Sequence, residues 1–259
     1  MEYCSLMSGS WGNCHYIEAN GTNILIDAGQ SGKRILDHMA WAGCCLPSAL
    51  SAIVVTHAHR DHVLGVGILA RRLQIPIYAT EGAWFEMDAI IDKVPAELKR
   101  TIDSEEKWTI GSLRIEAYPT SHDALESVGF VVRQGDETLG IATDTGVFTR
   151  RMERALQEAQ LLVLEANHDL EMLRDGKYPY YLKKRIAGID GHLSNEDAGA
   201  ALLRIAGSHL RKVMLAHLSE ENNTWEKAYA TACRDLGPDG PDLFIAPRKE
   251  PSCWISVCP

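Results

Sequence analysis

The chain shows no basic segment leading into an apolar run near Met1, no long apolar stretch, no C-x-x-C cysteine pair and no surplus of positive charge. Residues Met1 to Asn20 hold Glu2, Ser8, Ser10 and Asn13 and no basic segment followed by an apolar one, so a secretory leader is not expected. No stretch approaches the ~20 apolar residues of a spanning helix, so no membrane partner is expected. Seven cysteines (Cys4, Cys14, Cys44, Cys45, Cys233, Cys253 and Cys258) form an odd set without C-x-x-C spacing, which excludes a zinc knuckle or a dithiol redox motif. They read as reduced thiols packed as small hydrophobes, and the expected location is cytoplasmic. Cys44-Cys45 receives no role. With 26 Lys and Arg against 35 Asp and Glu, the net charge of −9 disfavours nucleic-acid binding by bulk charge. It leaves room for a basic cluster on one face and for bound cations that offset local acidity.

What is present reads as an α/β chain. Hydrophobic residues make up 46% of 259 positions with no linker or low-complexity break, so one domain, 1–259, is expected. Tyr3–Met7, Cys14–Glu18 and Asn23–Ile26 read as strands of a meander, Ser31–Ala42 as a helix, Ala52–Thr56 as a buried strand and Asp61–Leu73 as a helix. Leu113–Thr120, Val128–Arg133, Thr138–Ala142 and Leu161–Leu164 read as strands, with a helix over Arg150–Ala159 between the last two. Helix and strand then alternate over Asn195–Gly207, Lys212–Ala216, Trp225–Leu236 and Leu243–Ala246. A weak self-similarity links Ile24–Gly29 with Gly140–Gly146, each an apolar strand ending in an aspartate before a helix and a second apolar strand. Taken as real, it implies two related sheets packed face to face with helices outside.

Chemistry concentrates in His57-Ala-His-Arg-Asp-His62, directly after an apolar strand. Residues two apart on extended chain point the same way, so His57 and His59 can grip one ion. Asp61 and His62, at the turn into a helix, face a neighbouring position. Imidazole suits zinc and similar metals, and a carboxylate can bridge or complete a second site.

This hexapeptide resembles the signature of the metallo-β-lactamase superfamily, and the resemblance implies a four-layer αββα sandwich of two mixed sheets with the metals at one edge. By the same resemblance, Thr120-Ser-His122 supplies a third ligand to the first site, and Leu215-Ala-His217 closes the second with Asp61 and His62. Asp144, in Ala142-Thr-Asp144-Thr-Gly146, bridges both, and Asp27, in Leu25-Ile-Asp27-Ala-Gly29, orients a ligand histidine. Two divalent ions per chain are thus expected, zinc or manganese being equally compatible with the donors.

Further segments narrow the branch. Leu6–Cys14, Glu165–Asp169, Tyr178–Ile186, Gly188–Asn195 and Ala216–Asn223 together resemble the YycJ/WalJ/VicX family, for which the resemblance implies a DNA-processing exonuclease. His192, in Gly191-His192-Leu-Ser194, matches a histidine of the related RNase Z and β-CASP nucleases that contacts the scissile phosphate; Glu165 matches the acid that orients it. Phosphodiester cleavage uses two metals to polarise phosphoryl oxygens and to make hydroxide from a shared, metal-bridging water near neutral pH. Asp61 then orients that nucleophile, and His192 stabilises or protonates the leaving oxygen.

Candidate substrate contacts are Ser8, Ser10 and Asn13 in the opening loop, Asn167 and His168 after Glu165, and Lys183, Lys184 and Arg185 beside Tyr178, Tyr180 and Tyr181. The tyrosines can stack on bases while the basic residues meet phosphates; equally, they can be the buried and solvated faces of one helix. A structural turn for the loop and a satisfied surface histidine for His168 also stay open. DNA is favoured over RNA as partner. The rival functions are a small-molecule hydrolase, such as a glyoxalase II-like thiolesterase or a lactonase, and a regulatory protein of a signalling or repair assembly. Polarity of digestion and oligomeric state are not encoded in any recognisable motif.

Overall fold

In the computed structural model, which describes residues 1–205, 207 and 209–258, the apolar segments pair into two mixed sheets of seven strands. The first contains β1 (Glu2–Met7), β2 (Cys14–Ala19), β3 (Thr22–Ile26), β4 (Ala52–Val54), β5 (Ile77–Thr80), β6 (Lys99–Ile102) and, on the outer edge of β1, β14 (Ile255–Ser256). The second runs β13-β12-β11-β10-β9-β8-β7, built from β7 (Lys107–Ile110), β8 (Leu113–Pro119), β9 (Val128–Gln134), β10 (Glu137–Ala142), β11 (Leu161–Glu165), β12 (Lys212–Ala216) and β13 (Asp242–Ile245).

Alternation along the strands explains the layers. Ile17, Ile24 and Ile26 of the first sheet meet Ile115, Phe130, Val132 and Ile141 of the second in one buried cluster. The opposite face of the first sheet, with Tyr16, Leu25 and Ile53, packs on α1 (Gly32–Ala42), α3 (Val66–Leu73) and α4 (Glu81–Met87). Val131, Leu162 and Val213 of the second sheet pack on α5 (Arg150–Leu156), α8 (Asn195–Ile205) and α9 (Trp225–Leu236). Helix, sheet, sheet and helix follow in that order, which is the expected sandwich.

The internal similarity has a structural counterpart. β3 is the strand where antiparallel pairing gives way to parallel pairing in the first sheet, and β10 holds that place in the second. The expected helix over Asp61–Leu73 is instead two, α2 (Arg60–Val63) and α3, because Gly65 interrupts it. The Gly65 N–H donates to Ala28 O at 2.8 Å, and a Cβ there would lie 2.3 Å from Gln30 O. The helix expected over Asn195–Gly207 is seen as Asn195–Ile205, and Ala206 lies outside the described residues. No helix among the described residues is long and apolar enough to cross a membrane.

Candidate metal centre and cleft

The backbone leaves β4 at Val54 and carries His57 and His59 to the start of α2, across one edge of the sandwich. His57 and His59 have ring centroids 4.7 Å apart, and His122, in the loop after β8, brings Nε2 to 3.2 Å from His59 Nδ1. Donor atoms of His57, His59 and His122 all lie within 4.8 Å of one another, as do those of Asp61, His62 and His217. Asp144 stands between the two groups, with Oδ2 3.4 Å from His62 Nε2 and Oδ1 3.8 Å from His122 Nε2. All seven side chains singled out as ligands therefore converge. Asp27, Asp144 and His217, each just past the end of a strand, have φ of 61°, 57° and 55°. That left-handed conformation is strained for residues with a Cβ, so strain is stored where the ligand-type side chains are aimed.

A buried scaffold fixes the imidazole orientations. Asp27 Oδ1 accepts from Thr56 N, and Oδ2 accepts from Thr56 Oγ1, both at 2.8 Å, and from His62 Nδ1 at 2.7 Å. Thr56 Oγ1 in turn accepts from His57 Nδ1 at 3.0 Å. His122 Nδ1 donates to Gly191 O at 3.0 Å, and His217 Nδ1 donates to Glu165 Oε1 at 2.9 Å. Four imidazoles thus use Nδ1 for orientation and turn Nε2 toward the centre, an arrangement that suits metal-binding histidines. Thr56 was not singled out from the sequence, although its place directly before the hexapeptide is a signal. Gly29 is a second such residue. Its N–H donates to Asn13 O at 2.9 Å, and a Cβ would lie 1.6 Å from Asp61 O, so the loops carrying Asn13 and Asp61 can close only over a glycine.

The electrostatics ask for positive charge. Burial opposes protonation of His62, yet the Asp144, Asp27 and Asp61 carboxylates hold its pKa well above the usual value. Against the same burial, Asp144, Asp61 and Glu165 lift His217 to about 10. Asp144 is pulled well below the ordinary carboxylate range by His217 and His62, despite its own desolvation. His57 is pushed well down, chiefly by burial. Meanwhile His57 Nε2, His217 Nε2 and Asp144 Oδ2 are buried without a hydrogen-bond partner. Buried polar atoms are rarely left so. Orphaned donors at both triads and at the carboxylate between them, among protons held by excess carboxylate, fit divalent metal ions.

Beside this centre, Glu165 Oε1 accepts from His192 Nδ1 at 2.6 Å, and Glu165 Oε2 accepts from Thr145 N at 3.0 Å. Glu165 is fully buried; desolvation would raise its pKa, but His192 and His217 hold it down to about 2. A cleft of about 250 Å³ opens over the site, lined by Asp61, Asp144, His192 and His217 and by Tyr178, Leu182, Arg185 and Ile186 of the segment around α7 (Tyr180–Ile186).

The candidate substrate contacts divide. Ser10, Asn167 and Arg185 line the cleft. Ser8 is buried and its Oγ accepts from His217 N at 2.8 Å. Asn13 is buried too, with Nδ2 2.9 Å from His62 Nε2. His168 is buried, and Lys183 Nζ donates to Arg174 O at 2.7 Å, at the end of α6 (Leu170–Asp175). Lys184 is exposed on α7 outside the cleft lining. Asp123, next to His122, lines the cleft and was not anticipated.

Residues 22–218 match the family model described as the Beta-lactamase superfamily domain. The chain belongs to the β-lactamase superfamily. Within it, the chain is 39% identical over 237 residues to a Streptococcus pneumoniae serotype 2 protein named exodeoxyribonuclease WalJ, covering 91% of this chain and 88% of that one. It is 36% identical over 240 residues to exodeoxyribonuclease YycJ of Bacillus anthracis, covering 93% and 90%. The metallo-β-lactamase fold protein YhfI of Bacillus subtilis superposes with a TM-score of 0.75 at 15% identity, covering 97% of this chain and 98% of that chain, a likeness of fold.

Proposed function

We propose that the chain is a metal-dependent phosphodiesterase that acts on DNA as an exonuclease. His57, His59 and His122 hold one divalent ion, Asp61, His62 and His217 hold a second, and Asp144 serves both. Bound there, such ions supply Lewis-acid polarisation of the phosphoryl oxygens and a lowered pKa for the attacking water. The remaining steps belong to side chains. Asp61 lines the cleft and accepts a hydrogen bond from the attacking water, turning its lone pair toward phosphorus. Glu165 fixes His192 through Nδ1, leaving Nε2 to pass a proton to the leaving oxygen or to neutralise its charge.

The observation that carries this reading is the Glu165–His192 pair beside the donor cages. A thioester expels a thiolate that needs no acid, whereas the nucleoside oxygen leaving a phosphodiester is a far more basic alkoxide that a protonated imidazole assists. The names of the WalJ and YycJ relatives support DNA as the substrate. The test is to incubate the protein with end-labelled single- and double-stranded DNA and RNA, with Mn²⁺ or Zn²⁺, beside a His59→Ala control. Progressive shortening of DNA by the wild type alone is expected. Inert DNA with rapid turnover of a thioester or lactone would overturn the reading.

A further inference from the structure

Arg185, the basic residue of α7 that lines the cleft, turns one edge of its guanidinium to Asp123: Nε donates to Asp123 Oδ2. The other oxygen of Asp123 lies 3.5 Å from His122 Nε2 and 3.7 Å from His59 Nε2. A carboxylate thus spans the gap between a cation on the cleft wall and two imidazoles of the first triad, where an anionic substrate would have to enter. The ion pair is not what keeps this wall in place. His122 Nδ1 already ties down Gly191 O, and Ser121 Oγ donates to Asp190 Oδ1 at 3.2 Å. Its side chains are 58% and 30% exposed, so it is a weak, water-screened contact. Guanidinium binds phosphate in a charge-assisted, bidentate geometry that is stronger.

The geometry points to Asp123 as an internal stand-in for phosphate: Arg185 binds a backbone phosphate of the incoming strand and releases Asp123 to do so. The inference rests on the nucleic-acid reading above and adds to it a specificity element, since an uncharged ester gives Arg185 nothing to exchange for. No bond is made or broken; one anion replaces another on the same cation.

The probe is a fluorescein-labelled DNA oligonucleotide, bound to full-length protein carrying His192→Ala with Mn²⁺ or Zn²⁺ present, and read by anisotropy over a salt series. Adding Arg185→Ala is expected to weaken binding about tenfold. It should also reduce the slope of log affinity against log salt by about 0.9 for duplex or about 0.7 for single strand. Asp123→Asn should tighten binding roughly two- to five-fold, the scale of a half-exposed ion pair. Removing any carboxylate from an acidic cleft also relieves general repulsion, so the deciding comparison is the double variant. With Arg185 gone, the gain from Asp123→Asn shrinks to that general component. Arg185→Gln, which keeps a donor for Asp123 without the charge, must reproduce the slope change and guards against a folding defect. An equal gain in both backgrounds, or an unaltered slope, overturns the exchange and leaves the nuclease reading intact. A protein without either substitution that binds no oligonucleotide overturns both.

Discussion

His192 Nδ1 donates to Glu165 Oε1 at 2.6 Å, and the same oxygen takes His217 Nδ1 at 2.9 Å. One buried carboxylate therefore orients both a ligand-type imidazole and the imidazole proposed to assist the leaving group.

That shared oxygen separates two variants. His192→Ala should lower kcat on DNA by about 10²–10⁴-fold while metal content stays at the wild-type level. Glu165→Gln should lower activity and also weaken metal retention, because an uncharged amide holds the His217 Nδ1–H less strongly than the carboxylate does and sets its own NH2 against the Thr145 N–H. Steady-state kinetics beside elemental analysis of each variant checks this. Equal metal loss in both would show that His192 is a structural partner only.

Asp27 touches no part of the cleft but sets His62 and, through Thr56, His57. Asp27→Asn should weaken metal binding about 10–100-fold with the fold retained. Competition against a chromogenic chelator measures it.

Gly29 makes a stability prediction. Alanine there would overlap Asp61 O, so the hairpin of loops must open. Gly29→Ala should destabilise the protein by about 3 kcal/mol, the upper end for overpacking, and reduce metal binding at the second triad. Urea denaturation, followed by circular dichroism, reads the first effect.

The metal-free protein should be sensitive to alkali. His217 titrates at about 10 in the folded chain against 6.5 as its ordinary value, so it binds a proton more tightly folded than unfolded. The resulting stability is complete below pH 6.5 and is lost as pH rises toward about 10. In EDTA the Tm should fall across that interval. Added metal, which takes the place of the proton, should flatten the decline. Thermal melts from pH 6 to 10, with and without metal, decide it.

The sequence made the centre of the fold readable because buried parallel strands are continuous apolar runs: Leu161–Leu164 and Lys212–Ala216 lie where expected. Edge strands were not readable. Lys99-Arg-Thr-Ile102 and Lys107-Trp-Thr-Ile110 expose most of their polar side chains at sheet margins and carry no more apolar signal than a loop. The helix over Glu81–Met87 is too short for a convincing period. Among site residues, the histidines and aspartates were visible by chemistry and order. Ser8 and Asn13 were read as candidate substrate contacts, but both are buried, and their inward direction depends on how the Gly9–Asn13 turn closes against Asp61 and His217. Asp123 was hidden because an acid after a ligand histidine has no distinctive spacing; its partner Arg185 lies 62 positions away.

The most direct measurement is metal stoichiometry: equilibrium dialysis against Zn²⁺ and Mn²⁺ followed by elemental analysis of wild type and His59→Ala. Two ions per wild-type chain and one per His59→Ala chain are expected. A wild-type chain that retains no ion, or a variant that retains as many as the wild type, would contradict the paired centre on which the proposed chemistry depends.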